Sequence, residues 1–201
     1  DFLAALKELI KELLSTRTEL CSIAISTAGV VDYAGKRIKF VAPHLSSLKD
    51  TVWVEWLKNE FDVPVTLIND ANATMLGAAS LGYLNGLKTI GVMPIGTGLG
   101  FSVWRNGRIW TPNFSYTLLG CIETPDGSFD QWASIVGLAK RYPDIALDDL
   151  FKMDDYKMCL IPYIEGLSKI VQTAYYMYHT NEVLIGGGLA DLVVHMGFPL
   201  E

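Results

Sequence analysis

The strongest constraint on the fold is a polar cluster that directly follows a short apolar run. Residues 64–68 (PVTLI) lead into residues 69–72 (NDAN), and a second strand-like run ends in the glycine-rich segment 96–100 (GTGLG). In α/β proteins, ligands bind where strands end, and backbone N–H groups of glycine-rich turns can contact anions there. A carboxylate after one strand and a glycine loop after the next could therefore place a base and a phosphate cradle in one cleft. That is the layout of a phosphotransferase.

The composition indicates a globular chain without the basic segments that bind nucleic acid. The 201 residues are 50% hydrophobic, which is enough to bury the core of one large or two small domains and excludes a disordered chain. The formal net charge is −6, and no run of lysine or arginine is present. We therefore expect no nucleic acid to be bound by this chain alone.

The cysteines and the apolar runs predict a cytoplasmic protein that does not contact a membrane. Cys21, Cys121 and Cys159 lie far apart and form no CxxC pair, as is typical of proteins in a reducing compartment. The longest apolar runs are shorter than a membrane span, and the N-terminal residues lack a signal-peptide profile.

Apolar periodicity predicts that helices and strands alternate. Residues spaced by three and four positions predict helices at 2–14, 50–61, 71–81, 129–142 and 156–178. Short apolar runs predict strands at 20–26, 64–68, 89–95 and 182–185. Asp50 is predicted to cap the second helix, and Pro162 to interrupt the last one near its start.

Two hairpins and one domain boundary are also predicted. Residues 30–40 and 101–110 each contain a turn between two short runs, and the second turn includes Asn106-Gly107, a dipeptide favoured in type I′ turns. Turn-forming residues accumulate in segment 111–126, where the periodicity lapses. We therefore predict two domains, residues 1–110 and 111–201.

Asp70 is the candidate for chemistry, and two interpretations of it carry about equal weight. It follows a strand and opens a helix, so its carboxylate could cap that helix or take a proton from a substrate hydroxyl as a general base. Asn69 and Asn72 could hydrogen-bond substrate hydroxyls, although asparagine at such a turn often bonds only the local backbone.

The two glycine segments also allow two interpretations each. Segment 96–100 could bring backbone amides and the Thr97 hydroxyl to a phosphate, or form a tight turn, and no GK[ST] follows to make it a Walker loop. Segment 186–188 (GGG) could approach a flat or anionic ligand, or serve only as a turn between a strand and a helix.

In combination, these segments point to one protein family much more specifically than any of them does alone. With residues 26–32 (STAGVVD) ahead of them, the chain resembles the ROK family of bacterial sugar kinases and sugar-responsive repressors, within the actin/hexokinase/Hsp70 superfamily. Residues 26–32 are similar to the family's GxPGxVD segment, 42–45 (APHL) to its xPNL sugar-side loop, and 65–73 to its NDANAA motif. Residues 95–100 resemble its second phosphate loop, and 184–188 the glycine segment beside the adenosine.

The resemblance implies the fold and the roles of individual residues. The implied fold class is α/β, a ribonuclease-H-like (actin-like ATPase) fold with mixed sheets and flanking helices, and homodimers are common in the family. Asp70 would be the base, and Asn69 would hold a neighbouring sugar hydroxyl. His44 stands where the family has asparagine and could bind a hydroxyl, although a histidine after proline is more often a surface or packing residue. The residues implied at ATP are Gly96, Thr97, Gly98, Gly187 and Gly188, and Mg²⁺ would arrive with the nucleotide.

The departures from the family pattern concern its first phosphate loop and its zinc motif. No DxGGT segment is present, and the chain ends soon after segment 184–188, so we expect a chain truncated at both ends. Leu118 replaces the sugar-binding glutamate and Cys121 the zinc-ligating histidine of GExGH, and the CxCGxxGC cysteines are absent. Because zinc needs about four ligands, we predict no structural zinc. Asp130 stands at the glutamate of GCxExxAS and is the remaining candidate there for substrate binding. Because the glutamate and histidine of GExGH are lost, two contacts to the sugar are missing, and glucose specificity is not expected.

Two functions from different classes remain. The first is an ATP-dependent sugar kinase with Asp70 as the base. The second is a non-catalytic sugar sensor, either the effector domain of a ROK-type regulator or a degenerate kinase. An upstream DxGGT segment would favour the kinase, and an upstream helix-turn-helix would favour the regulator.

Overall fold

The computed structural model describes residues 2–16, 19–32, 34, 36–41, 43–50, 52–111, 117, 119–146, 149 and 152–195. The contacts divide the chain into two compact units. The first contains the described residues up to Asp70, and the second those from Ala71 onwards. The predicted division into residues 1–110 and 111–201 stays a prediction.

The first unit is a small α/β assembly around one apolar cluster. Its elements are α1 (Phe2–Ser15), β1 (Ile23–Thr27), β2 (Val30–Val31), β3 (Ile38–Phe40), a 3-10 helix (Pro43–Leu48), α2 (Trp53–Phe61) and β4 (Val65–Asn69). Strands β1 and β4 are parallel, with Thr27 opposite Asn69, and β2 pairs antiparallel with β3. The buried cluster comprises Val31, Ile38, Val41, Trp53 and Leu67.

The second unit is organised around a mixed sheet. After α3 (Asp70–Ser80), which begins at the last residue of the first unit, the sheet contains β5 (Thr89–Pro94), β6 (Ser102–Arg105), β7 (Arg108–Ile109) and β10 (Glu182–Gly186). Their order is β10-β5-β6-β7, with β10 and β5 parallel and the other neighbours antiparallel. The remaining elements are a 3-10 turn (Leu119–Cys121), β8 (Glu123–Thr124), β9 (Gly127–Ser128), α4 (Phe129–Ala133), α5 (Ile135–Arg141), α6 (Tyr156–Tyr178) and α7 (Gly188–His195).

Strand β5 and helix α6 form the centre of the second unit. Residues 90–93 of β5 are buried in succession, as expected for a strand covered on both faces. Along α6, the buried residues recur at helical spacing and form the face that packs into the core: Leu160, Tyr163, Leu167, Ile170 and Ala174.

Most predicted elements are confirmed, including the α/β class with mixed sheets. The first hairpin is present as β2 and β3, although Tyr33 and Gly35 in its turn lie outside the described residues. In the second hairpin, Asn106 and Gly107 have φ angles of 53° and 78°, the left-handed pair that a type I′ turn requires.

Three local predictions are wrong. Helix α2 begins at Trp53 with Val52 at its N-cap, and Val52 makes no side-chain capping bond, so Asp50 is not the cap. The predicted helix 129–142 is two helices, because Ser134 is extended and its Oγ accepts the Gly137 N–H at 3.1 Å, which caps α5. Pro162 does not interrupt α6, because it lies on the exposed side of the helix, where water can bond a backbone carbonyl that loses its partner.

Candidate functional site

The two glycine segments meet at one edge of the mixed sheet. Residues 95–100, here called the β5 loop, follow β5, and residues 186–188, the β10 turn, end β10. Because these strands are parallel neighbours with Gly186 opposite Pro94, both segments leave the same edge. The Ile95 N–H donates to the Gly186 carbonyl at 2.8 Å, and the Leu189 N–H donates to the Ile95 carbonyl at 3.4 Å.

Gly187 makes the close approach possible. Its φ is +88°, and a Cβ at this position would overlap the carbonyl of Ile95. A larger residue would therefore be strained in its backbone and would push the β10 turn away from the β5 loop.

The β5 loop is held by bonds within itself and to helices α4 and α5. The Gly96 N–H donates to the Gly98 carbonyl at 2.9 Å, and the Gly100 N–H to the Pro94 carbonyl at 3.0 Å. The Ile135 N–H donates to the Gly96 carbonyl at 2.8 Å, since the break at Ser134 leaves this amide at the start of α5.

A further bond joins the β5 loop to α4. The Leu99 N–H donates to Asp130 Oδ1 at 2.5 Å. The carboxylate also restricts the neighbouring residue, because a Cβ at Gly98 would lie 2.9 Å from the same oxygen. Asp130, predicted as a substrate ligand, therefore contacts the glycine loop, and its sugar role stays a prediction.

The remaining donors of these segments point to anion chemistry. The N–H groups of Thr97, Gly98, Gly187 and Gly188 have no hydrogen-bond acceptor within the described ranges. Thr97, Gly98, Gly187 and Gly188 are also exposed, and the last opens α7, so the positive end of a helix adds to these donors. Unpaired amides grouped in this way suit phosphate oxygens. Gly96 differs, because its N–H is already bonded within the loop.

The start of α3 is fixed by packing in the second unit. Asn72 is buried, and its Oδ1 accepts the Ser102 hydroxyl at 2.7 Å. A Cβ at Gly100 would lie 3.0 Å from the Cβ of Ala71, so the β5 loop passes close to the first turn of this helix. Asn72 thus has a structural contact with β6, and its predicted contact with a substrate hydroxyl stays a prediction.

In the first unit, Asn69 orients the carboxylate of Asp70. Asn69 is buried at the end of β4, and its Nδ2 donates to the Gly29 carbonyl and to Asp70 Oδ1, both at 3.0 Å. Asp70 itself is exposed. Gly29 has a φ of +96°, and a Cβ there would overlap the Phe40 carbonyl, so the turn after β1 needs glycine to reach Asn69. An oriented, solvent-accessible carboxylate is what a general base requires.

The other predicted positions are only partly described. His44 lies in the 3-10 helix of the first unit, and its side chain lies outside the described part, as does all of Leu118. Cys121 is exposed. Among the residues that the structure describes, no three histidine, cysteine or acidic side chains group closely enough to hold a metal, and the zinc prediction stays a prediction.

The bonds from Asp130 and Ile135 are features of the site that the sequence did not predict. Residues 128–131 (SFDQ) match the capping-box pattern, and the box is present, with Ser128 and Gln131 bonding each other's backbone N–H. This signal could have identified Asp130 as part of a fixed helical start. It could not have identified the loop that Asp130 contacts.

In the part of the chain that the structure describes, every helix is too short or too polar to cross a bilayer.

Comparisons with known proteins agree with the motifs. A model of the ROK family matches residues 1–116. A β-glucoside kinase of Listeria monocytogenes is 22% identical over 90% of this chain and 69% of its own length. The chain spans about two thirds of the length of the curated relatives it matches.

Solved structures show the same fold. A ROK-family transcriptional regulator, described as a homologue of the E. coli MLC protein, superposes with a TM-score of 0.82 at 17% identity, over 98% of this chain and 57% of that one. A ROK glucokinase of Streptomyces griseus, in complex with glucose and AMPPNP, gives 0.66 at 19% identity, over 88% and 68%. The predicted ribonuclease-H-like, actin-like ATPase fold is therefore confirmed.

Proposed function

The chain belongs to the ROK family, and on that premise we propose that it acts in the ATP-dependent phosphorylation of a sugar hydroxyl. The observation that supports this most is the edge where β5 and β10 end, with four backbone donors that lack acceptors among the described residues. Such an edge suits the phosphates of a nucleotide.

In the proposed reaction, Asp70 accepts the proton of the sugar hydroxyl while the oxygen attacks the γ-phosphorus. The bond between the γ-phosphorus and the β,γ-bridging oxygen breaks, and ADP leaves. Phosphoryl transfer passes through a loose transition state, so the orientation of the carboxylate matters more than its strength as a base. The bond from Asn69 to Asp70 supports this role by fixing the direction of the carboxylate.

The binding roles follow from the family resemblance. We propose that Asn69 and His44 bind sugar hydroxyls, and that Gly96, Thr97 and Gly98 of the β5 loop and Gly187 and Gly188 of the β10 turn contact ATP. When bound, Mg²⁺ would neutralise charge on the phosphates.

Three further properties complete the proposal: the absence of structural zinc, the location in the cell and the oligomeric state. We propose that the chain holds no structural zinc, because Cys121 stands where the family has a zinc-ligating histidine. We also propose that it works in the cytoplasm and can form a homodimer, as the resemblance implies.

A sugar sensor without catalysis is the second candidate. The fold that the chain shares with a ROK transcriptional regulator is compatible with this candidate. What favours it is Leu118 and Cys121, which replace two polar family residues at the sugar. Both candidates require sugar binding, but only the kinase requires turnover.

The test measures ATP consumption by the full-length protein with a panel of hexoses, N-acetylhexosamines and pentoses. Asp70→Asn keeps the size of the side chain but removes the base, and we expect it to lower turnover by at least about a hundredfold. Asp144→Asn, an exposed turn residue, is the matched control and should leave turnover unchanged. Sugar binding without turnover would make the protein a sensor, and full activity of the Asp70 variant would refute the assigned base.

A further inference from the structure

We propose that Asp130 is a positioning residue that holds the β5 loop in the form that binds nucleotide phosphates. The family resemblance predicts instead that Asp130 contacts the sugar. The inference rests on the proposed function, because it assigns a role within the same nucleotide site.

Asp130 projects from a rigid element. It lies in the first turn of α4, where the Ser128 Oγ accepts the Gln131 N–H and the Gln131 Oε1 accepts the Ser128 N–H, both at 3.2 Å. The Phe129 N–H also donates to the Ile122 carbonyl at 3.0 Å. The backbone on both sides of Asp130 is thus fixed, so the side chain starts from a fixed position.

The carboxylate is in direct contact with the peptide that joins Gly98 to Leu99. Its Oδ1 accepts the Leu99 N–H at 2.5 Å, and a Cβ at Gly98 would stand 2.9 Å from that oxygen. A hydrogen bond to an ionised acceptor is stronger than one between neutral groups. The bond also leaves only the Thr97 and Gly98 amides of the loop without a described acceptor.

The bond therefore decides which amides the loop offers to a ligand. Without it, the Leu99 N–H loses its partner, and the neighbouring Gly98 amide loses its fixed direction. A nucleotide would then have to order the loop as it binds, which lowers affinity. The sugar affinity should not depend on this bond.

Three variants separate the two roles. Asp130→Ala removes the acceptor, and Asp130→Asn keeps an oxygen at the same distance. Asp130→Glu restores the family residue but is one methylene longer, so its carboxylate cannot keep the same position against the Leu99 N–H. If Asp130 positions the loop, Asn rescues nucleotide binding and Glu does not. If Asp130 binds the sugar, Glu keeps the sugar affinity and Asn weakens it.

The first measurement is calorimetry on the full-length protein with Mg-AMPPNP, and separately with each sugar of the panel of hexoses, N-acetylhexosamines and pentoses. For Asp130→Ala we expect Mg-AMPPNP to bind about tenfold to a hundredfold more weakly, the loss of one charge-assisted bond, with the sugar affinity unchanged. Asp126→Ala, an exposed residue of the β8–β9 turn, is the control and should bind both ligands like the wild type. A weaker sugar affinity with normal nucleotide affinity would overturn the inference.

The second measurement is amide hydrogen exchange at Leu99 in the ligand-free protein. Protection should be lost in Asp130→Ala and kept in Asp130→Asn. Equal protection of the Leu99 amide in the wild type and in Asp130→Ala would overturn the inference, whatever the affinity for the nucleotide. A wild-type protein that binds no Mg-AMPPNP would refute the proposed function and the nucleotide role together, while Leu99 exchange would still decide whether Asp130 holds the loop.

Discussion

Two helical glycines of the second unit should respond in opposite directions to the same substitution. Gly166 lies in α6, where a Cβ would overlap the six-membered ring of Trp132. That ring stacks on Tyr163, with centroids 6.1 Å apart, and Arg141 lies over it at 3.6 Å. Gly77 lies in α3, where a Cβ would meet no atom within 4 Å. Gly166→Ala should therefore destabilise the unit, and Gly77→Ala should stabilise it.

The size of each effect follows from these contacts. Displacing Trp132 loses an aromatic pair of about 0.5–1.5 kcal/mol and a cation–π contact of about 0.5–1 kcal/mol. It also exposes apolar indole surface, at a cost of about 1–2 kcal/mol. At either site, replacing glycine with alanine stabilises the helix by about 1 kcal/mol, because alanine has the higher helix propensity. We expect a net loss of about 1–3.5 kcal/mol for Gly166→Ala and a gain of about 0.5–1 kcal/mol for Gly77→Ala.

Thermal unfolding followed by circular dichroism measures both variants. For a chain of this size, each kcal/mol corresponds to about 2–4 °C in Tm. The double variant Trp132→Ala/Gly166→Ala supplies the control, because without the ring the second substitution should become stabilising. A Tm for Gly166→Ala that equals or exceeds that of the wild type would refute the reasoning, as would a loss that persists without Trp132.

Two further predictions concern a turn and a buried phenol. Gly29→Ala should lower the urea midpoint more than Gly86→Ala, because both positions have positive φ but only Gly29 faces a backbone carbonyl, that of Phe40; equal midpoints would contradict this. Burial raises the pKa of Tyr163, whose hydroxyl donates to the Ala133 carbonyl at 2.8 Å. The folded protein therefore keeps this proton when the unfolded chain loses it near pH ~10, and the free energy of unfolding should fall as pH rises above that value. Urea titrations should show a smaller fall for Tyr163→Phe, with a residual slope from two other tyrosines whose pKa values burial raises; an unchanged slope would exclude Tyr163 as a source.

Local signals explain which elements the sequence predicted well. The boundaries of α6 agree with the predicted residues 156–178 because its apolar residues recur over many turns. The second hairpin was predicted correctly because the Asn106-Gly107 dipeptide strongly favours a type I′ turn. The break at Ser134 was missed because the apolar periodicity continues across it. Two caps, at Ser128 and Ser134, outweigh that periodicity.

The candidate site was predictable only where strand ends position residues. The rule that ligands bind at strand ends led to Asp70 and to both glycine segments. Nothing in the sequence showed that β10 pairs with β5, since the two strands are far apart along the chain. The contact between Asp130 and Leu99 likewise depends on tertiary packing, which no local pattern encodes.

The break between α4 and α5 has a mechanical consequence for the β5 loop. One attachment of the loop, at Leu99, comes from α4, and the other, at Gly96, comes from the first amide of α5. The loop is therefore bonded at two points to one pair of helices, and to open it must break both bonds or move the helices with it. We expect the loop and the two helices to behave as one cooperative segment, so that a ligand that immobilises the loop also slows the exchange of amides in both helices.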